Sequence, residues 1–471
     1  MTDTLVFDTA VIGGGSAGFG AAYASVSSGA KTVLIERMPG LGGMSVFGGV
    51  NCWEPGYGGL GVHLALARDL IASGGGCVIH DDRIAVGPDR PYANCLPAPD
   101  REYGTTFKVP DPDHVHDTDH FMFEPEAMSG LMRRYLESAG CRIMTLTEMK
   151  EPKLIGDRIE SVYAEDPGGC HLIKADVFVD CTDDASLSRM CGCRFAVGED
   201  SSSDTGEYSA PDEARENAVN GVSLIFRCSP TVSGHIDGMP DKLRDVDLSG
   251  FIRRLEGREI YSVVNHYPCG DINVNMLPTM DGGEYLGLGK EAGHVMEARV
   301  WAYLIWLQKT FGFPYRMKSV FPVHGVRENV RIIGRYRLSE TDLRLGMFSQ
   351  PLAGRLIAFA DHMIDVHGTS KLKRRLSPWL DVPYGIPYDC LLTGECENLL
   401  TASHSSSFTH IAAASVRLSR TMMALGEAAG YAASMAARSG KPVADIDIEE
   451  LKKKCKTEEC TAQIRRLWNI G

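Results

Sequence analysis

Gly13, Gly15 and Gly18 stand in the spacing G-x-G-x-x-G. That spacing suits a dinucleotide pyrophosphate. Gly13 permits a tight turn, Gly15 lets backbone approach the phosphates, and Gly18, with Ala22, lets a helix pack closely on a sheet. Ser16 and Ala17 lie between the glycines just ahead of that helix, whose free N–H groups and positive dipole end face the anion. Glu36 lies eighteen residues past Gly18. A carboxylate there accepts hydrogen bonds from ribose hydroxyls and repels a 2′-phosphate, which disfavours NADP. The positioning elements are a β-rich strand over 5–12, a small-residue helix over 19–28 stopped by Gly29, and a strand over 31–35 ending at Glu36.

After Glu36 and Arg37 comes a second glycine run: Gly40, Gly42, Gly43 and Met44, then Gly48, Gly49, Val50 and Asn51. Such a run carries the chain back over a pyrophosphate and ribityl toward a flavin. An NAD enzyme has no need of it, so FAD is the expected cofactor. The chain's 51 glycines are about 11% of its residues, above the usual ~7%, and these clusters account for part of the excess. Gly287 to Gly293 lacks a preceding β-branched strand and a downstream acid, and reads as a helix start. One nucleotide cofactor is therefore expected.

Toward the other end, 387–394 reads as a hairpin, 397–402 as a strand and 421–433 as a small-residue helix. With the opening VIGGGSAG, the LGGM–GGVN run, Asp180-Cys-Thr-Asp-Asp-Ala185 and Val326-Arg-Glu-Asn-Val-Arg-Ile-Ile-Gly334, this pattern resembles FAD-dependent oxidoreductases of the glutathione-reductase-like superfamily. More narrowly, it resembles the group related to fumarate-reductase flavoproteins and heterodisulfide-reductase flavin subunits. The resemblance implies an α/β fold: a Rossmann-like FAD-binding domain in three ββα layers, with an inserted α+β substrate or cap domain. It implies that Met149 holds the adenine through its backbone, and that Thr182, Asp183, Thr421 and Met422 lie along the cofactor. Two positions depart from the pattern. Asp183 replaces a glycine, and His404 ends Ala-Ser-His where Ala-Gly-Arg is common.

The expected domains are 1–200 and 384–471 for FAD, with 201–383 between them and a loop excursion at 88–120. Helices are expected over 60–72, 123–139, 291–310 and 353–366, a strand over 141–149, and a meander over 158–179. The last helix, 420–438, should aim its N-terminal amides at the flavin N1–C2=O edge and stabilise the reduced anion.

For substrate chemistry the candidates are Arg327, Glu328, His404, His410 and Arg417. An arginine can grip a carboxylate in two places, and a histidine can move the proton that accompanies a hydride. Arg327 and Glu328 can equally be an ion pair joining the insert to the FAD domain. His63 can line the pocket, carry a covalent flavin or lie on a helix surface, and Cys52 can sit near the flavin ring. His114, His116 and His120 lie among four aspartates, but a solvated acidic loop explains them and no metal is expected. The 14 cysteines form no repeated C-x-x-C pairs and read as small buried hydrophobes.

A net charge of −13 makes nucleic acid and anionic membrane poor partners. No run of ~20 apolar residues occurs, and the N-terminus lacks a secretory pattern. The expectation is a cytoplasmic homo-oligomeric enzyme that passes hydride between FAD and a small polar metabolite. The reaction would be CH–OH or CH–CH dehydrogenation, or reduction of an activated alkene. The alternatives are an electron-transfer flavoprotein subunit, against which the missing iron–sulfur motifs speak, and an RNA-modifying flavoprotein, against which the charge speaks.

Overall fold

The computed structural model describes residues 3–53, 61–80, 84–86, 119–257, 259–260, 262–267, 269–276, 278–367 and 377–467. A parallel sheet lies at its centre. Its strands run in the order Arg142–Met144, Thr32–Ile35, Asp3–Ile12, Gly169–Asp180 and Leu399–Thr401. Successive strand residues face opposite sides, and the two sides meet different neighbours. Val11, Leu34, Val177 and Val179 join the core beneath the helices Ser16–Ser27, Pro125–Ser138 and Ser419–Ser439. Ala10, Ile12, Val33, Ile35 and Phe178 point the other way. There they meet Ile159, Val162, Ala164 and Ile173 of an antiparallel meander, Glu148–Ile155, Arg158–Asp166 and Gly169–Asp180. Helices, parallel sheet and meander are the three layers of an α/β, Rossmann-like fold.

The first helix and Ser419–Ser439 touch backbone to backbone. A Cβ on Gly20 would lie 2.3 Å from the Met423 carbonyl oxygen, one on Gly426 1.9 Å from that of Ala17, and one on Gly430 2.1 Å from that of Ala21. The first and last parts of the chain are thereby locked together at the mouth of the sheet.

A second, antiparallel sheet has the order Tyr315–Val320, Ile225–Pro230, Ile272–Met276, Ser262–His266 and Ile84–Val86. The helix Ala292–Phe311 covers it through Met296, Val300, Leu304 and Leu307. The expected stretch 201–383 divides between two cores. Its second-sheet core draws on residues from Val222 to Tyr315, whereas Leu338, Leu343, Ile357, Ala360 and Ile364 pack into the first core. A three-stranded sheet of Cys52–Trp53, Asp119–Phe123 and Gly76–His80 lies near the seam.

Several local expectations need correction. Residues 353–366 are not a helix: a 3-10 turn, Ala353–Arg355, leads into the strand Leu356–Ala360, buried at every position and paired with Tyr384–Pro387. A short apolar run has no periodicity to separate strand from buried helix, and β-pairing decided it. The expected strand 141–149 is broken at Leu146, whose φ of 54° ends one strand before Glu148 begins the next. Ser419–Ser439 is not the last helix, since Ile448–Lys454 and Thr457–Leu467 follow. The excursion 88–120 lies almost wholly outside the described residues, as do His114, His116 and the His120 side chain. Among the described residues no helix is long and apolar enough to cross a membrane.

Candidate functional site

Two cavities meet at the C-terminal edge of the parallel sheet. The first, about 300 Å³, is lined by Gly13, Gly15, Ser16, Ala17, Glu36, Arg37, Gly43, Met149, Thr182 and Asp183 among others. Gly13 turns at φ 98°, and a Cβ there would stand 2.7 Å from the Cys181 carbonyl oxygen. Gly15 and Gly43 face each other, and a Cβ on Gly43 would meet the Gly15 Cα at 2.9 Å. Ser16–Ser27 starts with no side-chain cap and no acid in its first turn, so its leading N–H groups are available to an anion.

Glu36 closes this cradle. Its carboxylate accepts from Gly14 N at 2.5 Å and Met38 N at 2.6 Å. Burial pushes its pKa up against those two hydrogen bonds and Arg37. A bare cradle, helix amides and a buried carboxylate are the donor and acceptor set that a pyrophosphate and a ribose require. The site fits a dinucleotide.

The second cavity, about 370 Å³, shares Met44, Val326, His404, Arg417 and Ser419 with the first. Its wall comes from the glycine run and the short strand after it, Gly49, Val50, Cys52 and Trp53, on one side, and from the second sheet, Ile225, Val263, Asn265 and Asn275, on another. Cationic and basic groups predominate, with Arg327, Arg417, Arg420, His362, His367 and His404 against Asp365. Trp53 donates to Ser45 Oγ at 3.0 Å, and Ser45 Oγ lies 3.2 Å from Ser419 Oγ. Those contacts tie the glycine run to the start of Ser419–Ser439, a helix with no side-chain cap.

A sequence model of the FAD dependent oxidoreductases matches residues 8–455. The chain belongs to that family. Its cofactor is FAD and it is an oxidoreductase. No curated protein matches the sequence. Among solved structures, a geranylgeranyl bacteriochlorophyll reductase-like protein from Thermoplasma acidophilum is 10% identical, with a TM-score of 0.47 over 98% of this chain and 85% of that one. Anhydrotetracycline hydroxylase from Streptomyces rimosus is 10% identical, with a TM-score of 0.43 over 98% of this chain and 68% of that one. A myxobacterial FAD-dependent chondrochloren halogenase is 12% identical, with a TM-score of 0.44 over 98% and 79%.

The residues singled out in the sequence separate into three groups. Gly13, Gly15, Ser16, Ala17, Glu36, Arg37, Gly43, Met44, Met149, Thr182, Asp183 and Met422 line the nucleotide cavity, and Gly49 and Val50 line its neighbour. Gly18, Gly42, Asn51 and Thr421 line neither. A Cβ on Gly18 would be 1.7 Å from the Gly13 carbonyl oxygen, so this glycine serves the turn. Gly42 turns at φ 114° against Val46. Asn51 is buried, donates to the Phe123 carbonyl at 3.2 Å and accepts from Asn273. Thr421 is buried within the first turn of Ser419–Ser439.

Among the catalytic candidates, Arg327 lines the second cavity, and His404 and Arg417 line both. His404 Nε2 is buried without a partner among the described residues. Burial holds its pKa down, opposed by Asp183. Glu328 and His410 line neither cavity and are fully enclosed. Glu328 pairs with Arg331, not Arg327, and accepts from Asn220 N and Nδ2, both at 3.0 Å. His410 Nδ1 lies 2.8 Å from the same carboxylate. Burial alone would raise the Glu328 pKa, but His410 and Arg331 override it and bring it down to about 2. A carboxylate so held is a structural anchor.

His63 lines neither cavity. It is buried under Trp53, with ring centroids 4.6 Å apart, and burial followed by Arg420 brings its pKa to about 3. Cys52 does line the second cavity.

Asp365 and His367 were missed. Their Asp-x-His spacing puts both side chains on one side only if the backbone is extended, and reading 353–366 as helical hid it.

Proposed function

We propose that this chain transfers a hydride between FAD and a small polar metabolite, by CH–OH or CH–CH dehydrogenation or by reducing an activated alkene. The observation that carries this reading is the second cavity, which shares wall residues with the nucleotide cavity and is lined by arginines and histidines. When bound, FAD supplies the two-electron acceptor or donor. The protein supplies position. Backbone at Gly13 to Gly18 and the helix start would hold the pyrophosphate, Glu36 the ribose, and the strand at Met149 the adenine. The helix start at Ser419 and Met422 would hold the flavin end.

The cationic lining favours an anionic metabolite, since a guanidinium binds a carboxylate by two parallel hydrogen bonds. The G-x-G-x-x-G turn and the second glycine run support kinship with glutathione-reductase-like flavoproteins. Nucleic acid is not proposed as a partner, given the net charge of −13.

The test is anaerobic spectroscopy of the FAD-loaded protein with a panel of small hydroxy acids, saturated dicarboxylates and enoates. Oxidised flavin should bleach with one saturated class, or dithionite-reduced flavin should recover its colour with an enoate. A flavin that responds to dithionite but to no member of the panel would oppose the reading and favour an electron-transfer subunit.

A further inference from the structure

In the second cavity, one histidine is set up differently from the others. His367 follows the strand Leu356–Ala360 by a stretch without regular secondary structure, and its backbone is fixed twice. Its N–H donates to Asn220 Oδ1 at 2.9 Å, and its carbonyl accepts from Gly221 N at 3.0 Å. Asn220 is in turn held by Glu328. The buried cluster of Arg331, Glu328 and His410 therefore sets where this segment sits.

The side chain is fixed as well. His367 Nε2 lies 2.7 Å from Asp365 Oδ2, which also accepts from Arg417 at 2.7 Å. With Nε2–H committed to the carboxylate, the Nδ1 lone pair is the free one. Among the described residues Nδ1 has no hydrogen-bond partner, and the ring lines the cavity. Arg327 is close by. It donates to the Gly221 carbonyl at 2.8 Å and to Ser223 Oγ at 3.0 Å, on the segment that pins His367. The chemistry on this wall is a cation beside an oriented, unprotonated base.

We propose that Asp365 and His367 form the proton-accepting dyad of this site, and that its substrate is a small hydroxy acid, with its carboxylate on Arg327 and its hydroxyl on His367 Nδ1. The inference rests on the functional reading above and specifies it. As the substrate O–H bond breaks, its proton passes to Nδ1. With FAD bound as the two-electron acceptor, the C–H hydrogen would leave with its electron pair as hydride and the carbinol would become a carbonyl. Asp365 stabilises the imidazolium that forms.

The charged groups around the ring agree with this role. Burial, then Arg327, holds the His367 pKa down to about 4 against the pull of Asp365, with Arg417 acting in the same direction as Arg327. Asp365 stays ionised: burial would raise its pKa, but His367, Arg417 and the neighbouring His362 together bring it far down. His404 lines the same cavity, and burial holds its pKa down too. At neutral pH the ring is a base with an empty proton site, as hydroxyl deprotonation requires.

Oxalate is the probe, because it presents a carboxylate beside a second anionic oxygen where the deprotonated hydroxyl would be. Calorimetric titration of the FAD-loaded protein at neutral pH, in buffers of different ionisation heat, counts protons taken up on binding. Wild type should bind oxalate and take up one proton. His367→Gln should abolish the uptake and weaken binding by about 10- to 150-fold, the value of a hydrogen bond to a charged group. Asp365→Asn should reduce the uptake. His367→Asn serves as a second variant should glutamine disturb the loop, and retention of the flavin spectrum reports the fold. No oxalate binding by wild type would overturn the carboxylate assignment. Uptake unchanged in both His367 variants would overturn the dyad. Proton-coupled oxalate binding without flavin bleaching by any metabolite would leave the dyad standing and sink only the hydride-transfer reading.

Discussion

Gly15→Ala and Gly18→Ala should separate a cofactor contact from a folding contact three residues away. Gly15 has φ −71° and ψ −168°, a conformation that alanine adopts freely. A Cβ there meets nothing closer than the Gly43 Cα at 4.0 Å. Without FAD, Gly15→Ala should therefore fold as wild type does. It should gain up to about 0.4–1 kcal/mol, because the unfolded chain loses freedom. With FAD, the methyl occupies space that the pyrophosphate needs. Overpacking costs about 1–3 kcal/mol, so affinity should fall about 5- to 150-fold.

Gly18→Ala is the converse. Its Cβ would stand 1.7 Å from the Gly13 carbonyl oxygen, and backbone cannot swing aside as a side chain can. The apoprotein itself should lose stability, by about 1–3 kcal/mol or more. The assays are urea denaturation of the apoproteins and FAD titration followed by quenching of flavin fluorescence. If Gly15→Ala binds FAD within twofold of wild type, the glycine cradle does not hold the pyrophosphate. If Gly18→Ala apoprotein is as stable as wild type, the packing argument is wrong.

Glu427 is buried behind Val62 N, whose N–H it accepts at 3.1 Å, and burial raises its pKa from 4.5 to about 7. The folded state holds that proton more tightly than the unfolded state, so stability should fall as pH rises from about 4.5 to 7. Keeping the proton from pH 4.5 to about 7, at about 1.36 kcal/mol per pH unit, corresponds to about 3 kcal/mol. Glu427→Gln should remove most of that slope, as measured by urea denaturation at pH 5 and pH 8; equal slopes would contradict it. Glu328→Ala should take the carboxylate from His410 and leave Arg331 with Asp200 as its one remaining acidic partner, destabilising the protein by about 3–5 kcal/mol, whereas any folded fraction should retain a normal flavin spectrum. Arg327→Ala should weaken oxalate binding by more than tenfold, with FAD affinity unchanged in the same titrations.

The nucleotide half of the site was legible because every part of it obeys a local rule. The strand, the glycine spacing, the helix start and Glu36 are contiguous in sequence and contiguous in space. The second glycine run was legible for the same reason, since Gly43 meets Gly15 across the cradle. The substrate half was only partly legible. Arg327, His404 and Arg417 do reach the cavity, but Glu328 and His410 look identical in sequence and are sealed inside a cluster. What separates them is burial, which a motif does not report.

The Asp365–His367 pair was obscured by a period error. On a helix, residues two apart do not face each other; here 361–367 form no helix, and His367 Nε2 meets Asp365 Oδ2 at 2.7 Å. The division of the stretch 201–383 between two cores was hidden too, because Leu356–Ala360 takes its partner strand, Tyr384–Pro387, from beyond the expected boundary.

The most direct measurement is the mass of the product from a single anaerobic turnover of the FAD-loaded protein with whichever metabolite bleaches it. Hydride transfer predicts one product per flavin reduced, lighter than its substrate by two hydrogens. Flavin reduced without a change in the metabolite's mass would contradict the account.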